Sequence, residues 1–217
     1  MKNLLYKELK LSTPLLTYLF LGFAFMTFLP GYPILCGTFF VCLGIFQSYQ
    51  FGREDNDILY TVLLPIKKAD AVKLKYFTAL IIESAAFLIT SVSTLIRMMF
   101  LSEAKIYTNN ALMGANLIFL AFVLVIFTLF NVIFIGGFFK TAYGIGKPFI
   151  IFSALNFITI GFAESLHHLP GLGWTNTLDF NFIEKQIPVL FAAIIIYFGI
   201  TFLSCNLSQK RFEKTDI

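Results

Sequence analysis

Residues Met113 to Phe139 read MGANLIFLAFVLVIFTLFNVIFIGGFF, a run without one charged side chain. A helix that crosses a bilayer needs about 20 mostly apolar residues. This run exceeds that, which predicts tilt or a protruding end. Its apolar residues are continuous rather than alternating, so it reads as a helix and not as a barrel strand. Working outward, five further runs of similar character lie at 12–29, 33–51, 77–98, 148–164 and 188–207. Only Pro30 to Tyr32 separates the first two, which predicts a tight helical hairpin. The whole chain is 217 residues, 58% hydrophobic and 13% charged, against about 25% charged for a soluble domain. That is too little charge to coat a water-soluble globule. Disorder is excluded too, because 28 phenylalanines supply abundant apolar surface. The expected fold is all-α and polytopic, a single membrane domain over 1–217 with six transmembrane helices.

The net charge of +4 does not mark a nucleic-acid binder, because the basic residues sit in short tracts between the apolar runs. Thirteen of the 16 Lys and Arg fall in the N-terminal segment, the second loop, the fourth loop and the C-terminal tail. The opposite side holds Arg97, Lys105 and Lys185. The positive-inside rule then predicts cytoplasmic termini and cytoplasmic loops at 52–76 and 140–147. Lys2, Lys7 and Lys10 precede the first run as in a signal peptide, but no small-x-small cleavage site follows Phe28, so a retained span is expected. Cys36, Cys42 and Cys205 form no CxxC pair and read as packing residues.

Several polar features admit two readings. Leu4, Leu5 and Leu9 fall near one another at helical spacing, so residues 1–13 suit an interfacial amphipathic helix or a simple basic flank. In the second loop, Glu54, Asp55 and Asp57 form an acidic patch before Pro65. Beyond it Ile66, Ala69, Val72 and Tyr76 line one edge of a short helix whose remainder is cationic. Such a helix can dock into a groove on a soluble partner or rest on anionic lipid through Lys67, Lys68, Lys73 and Lys75. Glu83, Thr90, Thr94 and Arg97 form a narrow polar stripe on the third span. The stripe suits a translocation path, a contact with a second copy, or hydrogen bonding between helices. Asn131, Ser153 and Asn156 read as interhelical hydrogen bonders. His167 and His168 beside Glu164 lack any HExxH pattern and are expected in an outer loop, so neither catalytic nor metal-binding residues are assigned. Gly146-Lys147 is followed by Pro148 and lacks the rest of a phosphate-binding loop, so no cofactor is expected on this chain.

The run from Tyr60 through Leu64-Pro65-Ile66-Lys67-Lys68-Ala69-Asp70-Ala71-Val72-Lys73 to Lys75-Tyr76 resembles the loop of ABC-2-type transporter permease subunits. The opening Asn3 to Leu9 is similar to their start, and the six-span layout extends the resemblance over essentially the whole chain. It looks most like the short permeases of bacterial peptide exporters, such as those that export phenol-soluble modulins. The resemblance implies a multi-pass protein of the bacterial plasma membrane, non-catalytic, working with an ABC ATP-binding subunit that carries ATP and Mg, and with a second permease copy. It implies that residues 66–76, in the cytoplasmic coupling loop 52–76, form the coupling helix, with Pro65, Ile66, Lys67, Lys68, Ala69, Asp70, Val72, Lys73 and Tyr76 seated on the ATPase. Residues 1–13 become an elbow helix and 164–187 an external re-entrant region. Glu83, Thr90, Thr94 and Arg97 remain path or interface candidates. The rival expectation is an ion-coupled secondary transporter or channel using Glu83.

Overall fold

The computed structural model describes residues 2–63, 66–108, 110–140, 144–178 and 180–214, and no strand occurs among them. Helix α1 runs Lys2–Lys7 and widens into a π turn at Glu8–Ser12. After Pro14 the chain turns by 87° into α2, Leu15–Phe28. The last eight residues of α2, Leu21–Phe28, are a 3₁₀ helix. Its rise of roughly 2.0 Å per residue stretches α2 to about 25 Å, further than an α-helix of that length would reach.

Gly31, with φ at +72°, turns the chain into α3, Cys36–Glu54. Gly37 and Gly44, seven residues apart on one face of α3, let α2 approach closely. A Cβ at Gly37 would lie 2.5 Å from the Phe23 carbonyl oxygen, and one at Gly44 would lie 2.6 Å from the Phe20 Cβ. The Thr17 hydroxyl donates to the Gly44 carbonyl at 2.7 Å and fixes the pair in register. This is the hairpin expected from the short Pro30 to Tyr32 connection.

Asn56, at φ +52°, reverses the chain after α3. Asn tolerates that left-handed geometry better than most residues. Helix α4, Asp57–Leu63, follows. Leu64 and Pro65, the latter a predicted coupling residue, lie outside the described residues. Helix α5 is Lys68–Phe100, 33 residues or about 50 Å. The expected separate helix at 66–76 is therefore absent as an independent element. Nothing between Lys68 and Phe100 breaks a helix, since the stretch holds neither Gly nor Pro, and residues 68–76 form the first turns of α5.

A short turn α6, Lys105–Thr108, leads to α7, Leu117–Lys140. Helices α8, Gly146–Leu166, and α9, Ile183–Glu213, complete the bundle. Helix α7 is the centre: 72% of its most apolar window is buried, against 22% in α8 and in α9. Aromatic side chains fill the space around it. Phe130 stacks on Phe134 at 4.8 Å, and Tyr49 meets Phe134 and Phe138 edge-on at 5.1 and 5.0 Å.

Among the described residues four helices, α5, α7, α8 and α9, are long and apolar enough to cross a membrane, and the bent pair Asn3–Ser12 with Leu15–Phe28 makes a fifth if taken as one span. Helix α3 spans 19 residues but carries Gln47, Ser48, Tyr49 and Gln50 in its second half, which lowers its hydropathy.

Candidate functional site

The basic end of the bundle holds a buried, charge-balanced cluster built from three separate elements. Glu8 at the widened turn of α1, Asp57 at the start of α4 and Lys75 in the second turn of α5 are all buried. The Lys75 ammonium donates to Glu8 and, at 3.0 Å, to Asp57 Oδ2. Lys7 donates to Asp57 Oδ1 at 2.5 Å and to the Thr61 hydroxyl at 3.0 Å, and Ser12 adds a donor to the same Asp57 oxygen at 3.1 Å. Lys75 also lies 5.7 Å from the centre of the Tyr49 ring on α3. Two ammonium groups thus face two carboxylates. Burial alone would push the Asp57 carboxyl up, but Lys75 and Lys7 outweigh it and hold it below the usual carboxylate range.

The cluster orients α4. Asp57 and Thr61, one turn apart, are buried against it. Tyr60 and Leu63 point the other way and are 65% and 74% exposed. Among the side chains described in this short helix, the two polar ones face inward, and Tyr60 and Leu63 face outward.

The residues expected on an apolar docking edge behave differently. Ala69, Val72 and Tyr76 are buried within the chain's own core, Val72 completely. Ile66 and Lys68 are half-buried and Lys67 is exposed, while Asp70 and Lys73 sit partly exposed in an i,i+3 ion pair at 3.4 Å. The periodicity was real, but the edge it marks belongs to α5 packing on its neighbours. Lys75, expected on the cationic face, is instead the buried cation of the cluster.

The polar stripe of α5 also turns inward: Glu83, Thr90, Thr94 and Arg97 are all buried. At mid-bundle Glu83 Oε2 accepts from the Tyr197 hydroxyl at 2.5 Å and from the Asn131 amide at 3.0 Å. Asn131 reaches the Thr201 hydroxyl at 3.3 Å. The Asn131 carbonyl belongs to a π segment, Phe130–Ile135, and accepts from Tyr76 and Ser204, each at 3.3 Å. Tyr76 further bonds Ser204 at 2.8 Å and Ser208 at 3.1 Å. Near the other end Arg97 donates to the Thr27 carbonyl at 2.5 Å and lies 4.0 Å from the Tyr107 ring centre. Asn131 bonds between helices as expected. Asn156 is fully buried, yet its amide has no partner among the described residues.

Over the start of α7, the segment between α8 and α9 closes the opposite end. It forms two short 3₁₀ turns, Gly173–Asn176 and Phe180–Phe182, in place of longer re-entrant helices. Asn116 caps α7 through the Phe119 N–H and donates to the Thr175 and Thr177 carbonyls at 2.8 and 3.1 Å. Glu164 accepts the Met113 N–H at 2.6 Å, and His167 bonds the Ala111 carbonyl at 3.1 Å. Among the described residues no group of three or more His, Cys, Asp or Glu is arranged to hold a metal ion.

Sequence reading missed Glu8, Asp57 and Tyr197 as partners. The available signal was that Glu8 is the single acid in an otherwise basic N-terminal stretch.

Helices of this length and apolarity, joined by basic connections, define a multi-pass membrane protein. The model of the family described as "ABC-2 family transporter protein" matches residues 3–213. The chain belongs to that family and is a permease-type subunit of an ABC transporter. No curated protein and no solved structure matches it. Family membership implies an ATP-binding partner subunit in general, and such permeases are normally non-catalytic membrane subunits.

Proposed function

We propose that the chain is the membrane half of an ATP-driven exporter in the bacterial plasma membrane, with α4 and the head of α5 seated on a separate ATP-binding subunit. The observation that carries this reading is the outward stance of Tyr60 and Leu63 on α4, opposite buried Asp57 and Thr61. Its polar side chains Asp57 and Thr61 are committed to Lys7, Lys75 and Ser12, while Tyr60 and Leu63 stand outward beside exposed Lys67. An apolar pair held out by a rigid ionic anchor is suited to a partner's groove. Of the residues 65–76 assigned by resemblance, Lys67 and Asp70 are placed to touch that partner, whereas Val72 and Tyr76 transmit movement as part of the α5 core.

Six spans with both termini at the basic, cytoplasmic end account best for the helix pattern. Helix α2 gains reach from its 3₁₀ half. The polar half of α3 turns buried Ser48 and Tyr49 toward its neighbours rather than toward lipid. Residues 2–12, at 87° to α2, suit an elbow on the inner leaflet. Because α7 and its aromatics fill the centre of the bundle, the path lies between two permease copies. The cargo class favoured by the resemblance is an amphipathic peptide or hydrophobic compound. The ion-coupled alternative draws on one observation: Glu83 Oε1 is buried without a hydrogen-bond partner among the described residues.

The test is a mild-detergent pull-down of the tagged chain from native membranes, beside Leu63→Asp and Tyr60→Ala. Both positions are exposed, so the bundle keeps its melting temperature. Wild type should bring down a soluble protein with nucleotide-binding motifs, and Leu63→Asp should lose it. Transport by the purified chain under an ion gradient without ATP, abolished by Glu83→Gln, would replace this reading with the alternative.

A further inference from the structure

A furrow runs along the outside of the bundle between α5 and α9. At its basic end a cavity of about 540 Å³ is walled by Phe77 and Leu80 of α5 and by Phe198 and Phe202 of α9. Tyr76 and Thr201, both buried, form its floor. Phe198 also lines a second cavity of about 260 Å³, which continues the furrow to Leu88 and Ile194. From Lys73 to Leu88 is 15 residues of α5, or about 22 Å. Phe77, Phe198 and Phe202 are half or more exposed, so the furrow opens sideways at bilayer depth.

The cationic and amide groups of the rim, Lys73, Asn206 and Gln209, gather at one end, and the exposed Ser84 hydroxyl lies farther along. Among the described residues the Lys73 ammonium pairs with Asp70 at 3.4 Å, a partly exposed pair worth little in itself. It stands in the second turn of α5, where the positive end of the helix dipole adds to its field. The Gln209 amide bonds within its own helix, to Cys205 Sγ at 3.2 Å and Asn206 Oδ1 at 3.5 Å. The last turn of α9 carries Lys210, Arg211 and Glu213, of which Arg211 lines a separate cavity against α7 and α8. Glu83, the one acid along the furrow, lies about 15 Å from Lys73 and is hydrogen-bonded into the bundle.

We infer that this furrow is a seat for a membrane lipid with an anionic headgroup, its phosphate at Lys73 and an acyl chain lying between α5 and α9. The dimensions favour a chain over a helix. An α-helix about 10 Å across fills roughly 1,700 Å³ over that length, so only the edge of one could enter. The single cationic end, facing the headgroup layer, matches an amphiphile with one anionic head.

The test places the protein in vesicles of phosphatidylcholine with a minor share of photoactivatable phosphatidylglycerol, and maps labelled peptides by mass spectrometry. A matched phosphatidylcholine probe measures headgroup preference. The seat predicts labelling concentrated in 73–88 and 194–209, with the anionic probe favoured about 5-fold, the worth of one lysine near an anionic surface. Lys73→Gln should remove that preference while the phosphatidylcholine probe still labels the same peptides. Leu80→Trp should reduce labelling by both probes. Labelling spread evenly onto outward residues of α8 such as Phe157 and Phe162 would overturn the inference, as would a preference that survives Lys73→Gln. Phe202→p-benzoylphenylalanine supplies a further arm, since capture of a second copy of the chain there would show that protein, not lipid, covers the furrow.

Discussion

The bundle contains two buried polar centres built on opposite principles. At the basic end, Lys7 and Lys75 face Glu8 and Asp57, so charge is met by charge. At mid-bundle, one carboxyl, Glu83, is met among the described residues by neutral groups, the Tyr197 hydroxyl and the Asn131 amide. Depth explains the contrast. Near the headgroups ions remain affordable when paired, and pairing them ties α1, α4 and α5 into one unit. Deep in hydrocarbon an ionised group is costly, so the helices are joined by hydrogen bonds whose worth does not depend on a full charge. The first centre is therefore brittle toward neutralisation and the second tolerant of it.

Replacing Lys75 with Gln breaks the comparison most severely. It leaves two buried carboxylates with only Lys7 between them, and removing one partner of a buried ion pair costs about 3–5 kcal/mol. The expected outcome is loss of most folded protein, read as membrane abundance and thermal unfolding in detergent. Next comes Tyr197→Phe, which removes a donor from Glu83 and should cost about 1–3 kcal/mol by the same measurement. Smaller still is Glu83→Gln. The amide keeps an oxygen for both Tyr197 and Asn131, so the change should stay within about 1 kcal/mol. A Glu83→Gln protein as unstable as Lys75→Gln would show that the deep centre is ionic after all.

The two centres also differ in how far the sequence reveals them. The apolar runs at 77–98, 148–164 and 188–207 fall inside α5, α8 and α9, because a hydrocarbon-spanning helix needs only local composition to be recognised. The inward stripe of Glu83, Thr90, Thr94 and Arg97 was readable from helical spacing, though not which helices it would meet. The basic-end cluster was hidden, since Glu8 and Lys75 lie 67 positions apart and no local pattern links them. The edge at Ala69, Val72 and Tyr76 looked free for a partner for the same reason. Periodicity identifies an apolar face but not what covers it, and the core of this chain covers that one.

The gentlest probe of the comparison is acid, which acts on the charged centre through Asp57. Its carboxyl is held below the ordinary Asp value of about 3.9, because Lys75 and Lys7 more than offset its burial. A depressed carboxylate contributes stability that is fully present above the unfolded value and is lost as pH falls through the folded one. Hydrogen exchange across α4, Asp57–Leu63, should therefore be unchanged from pH 8 down to pH 5, once corrected for the intrinsic exchange rate. Below about pH 4 protonation should release Lys7 and Lys75, and α4 should lose protection while α7 and α9 keep theirs. Protection lost from α4 and α7 together would mean that the two centres are not independent, and that the ionic anchor at the basic end supports the whole bundle rather than α4 alone.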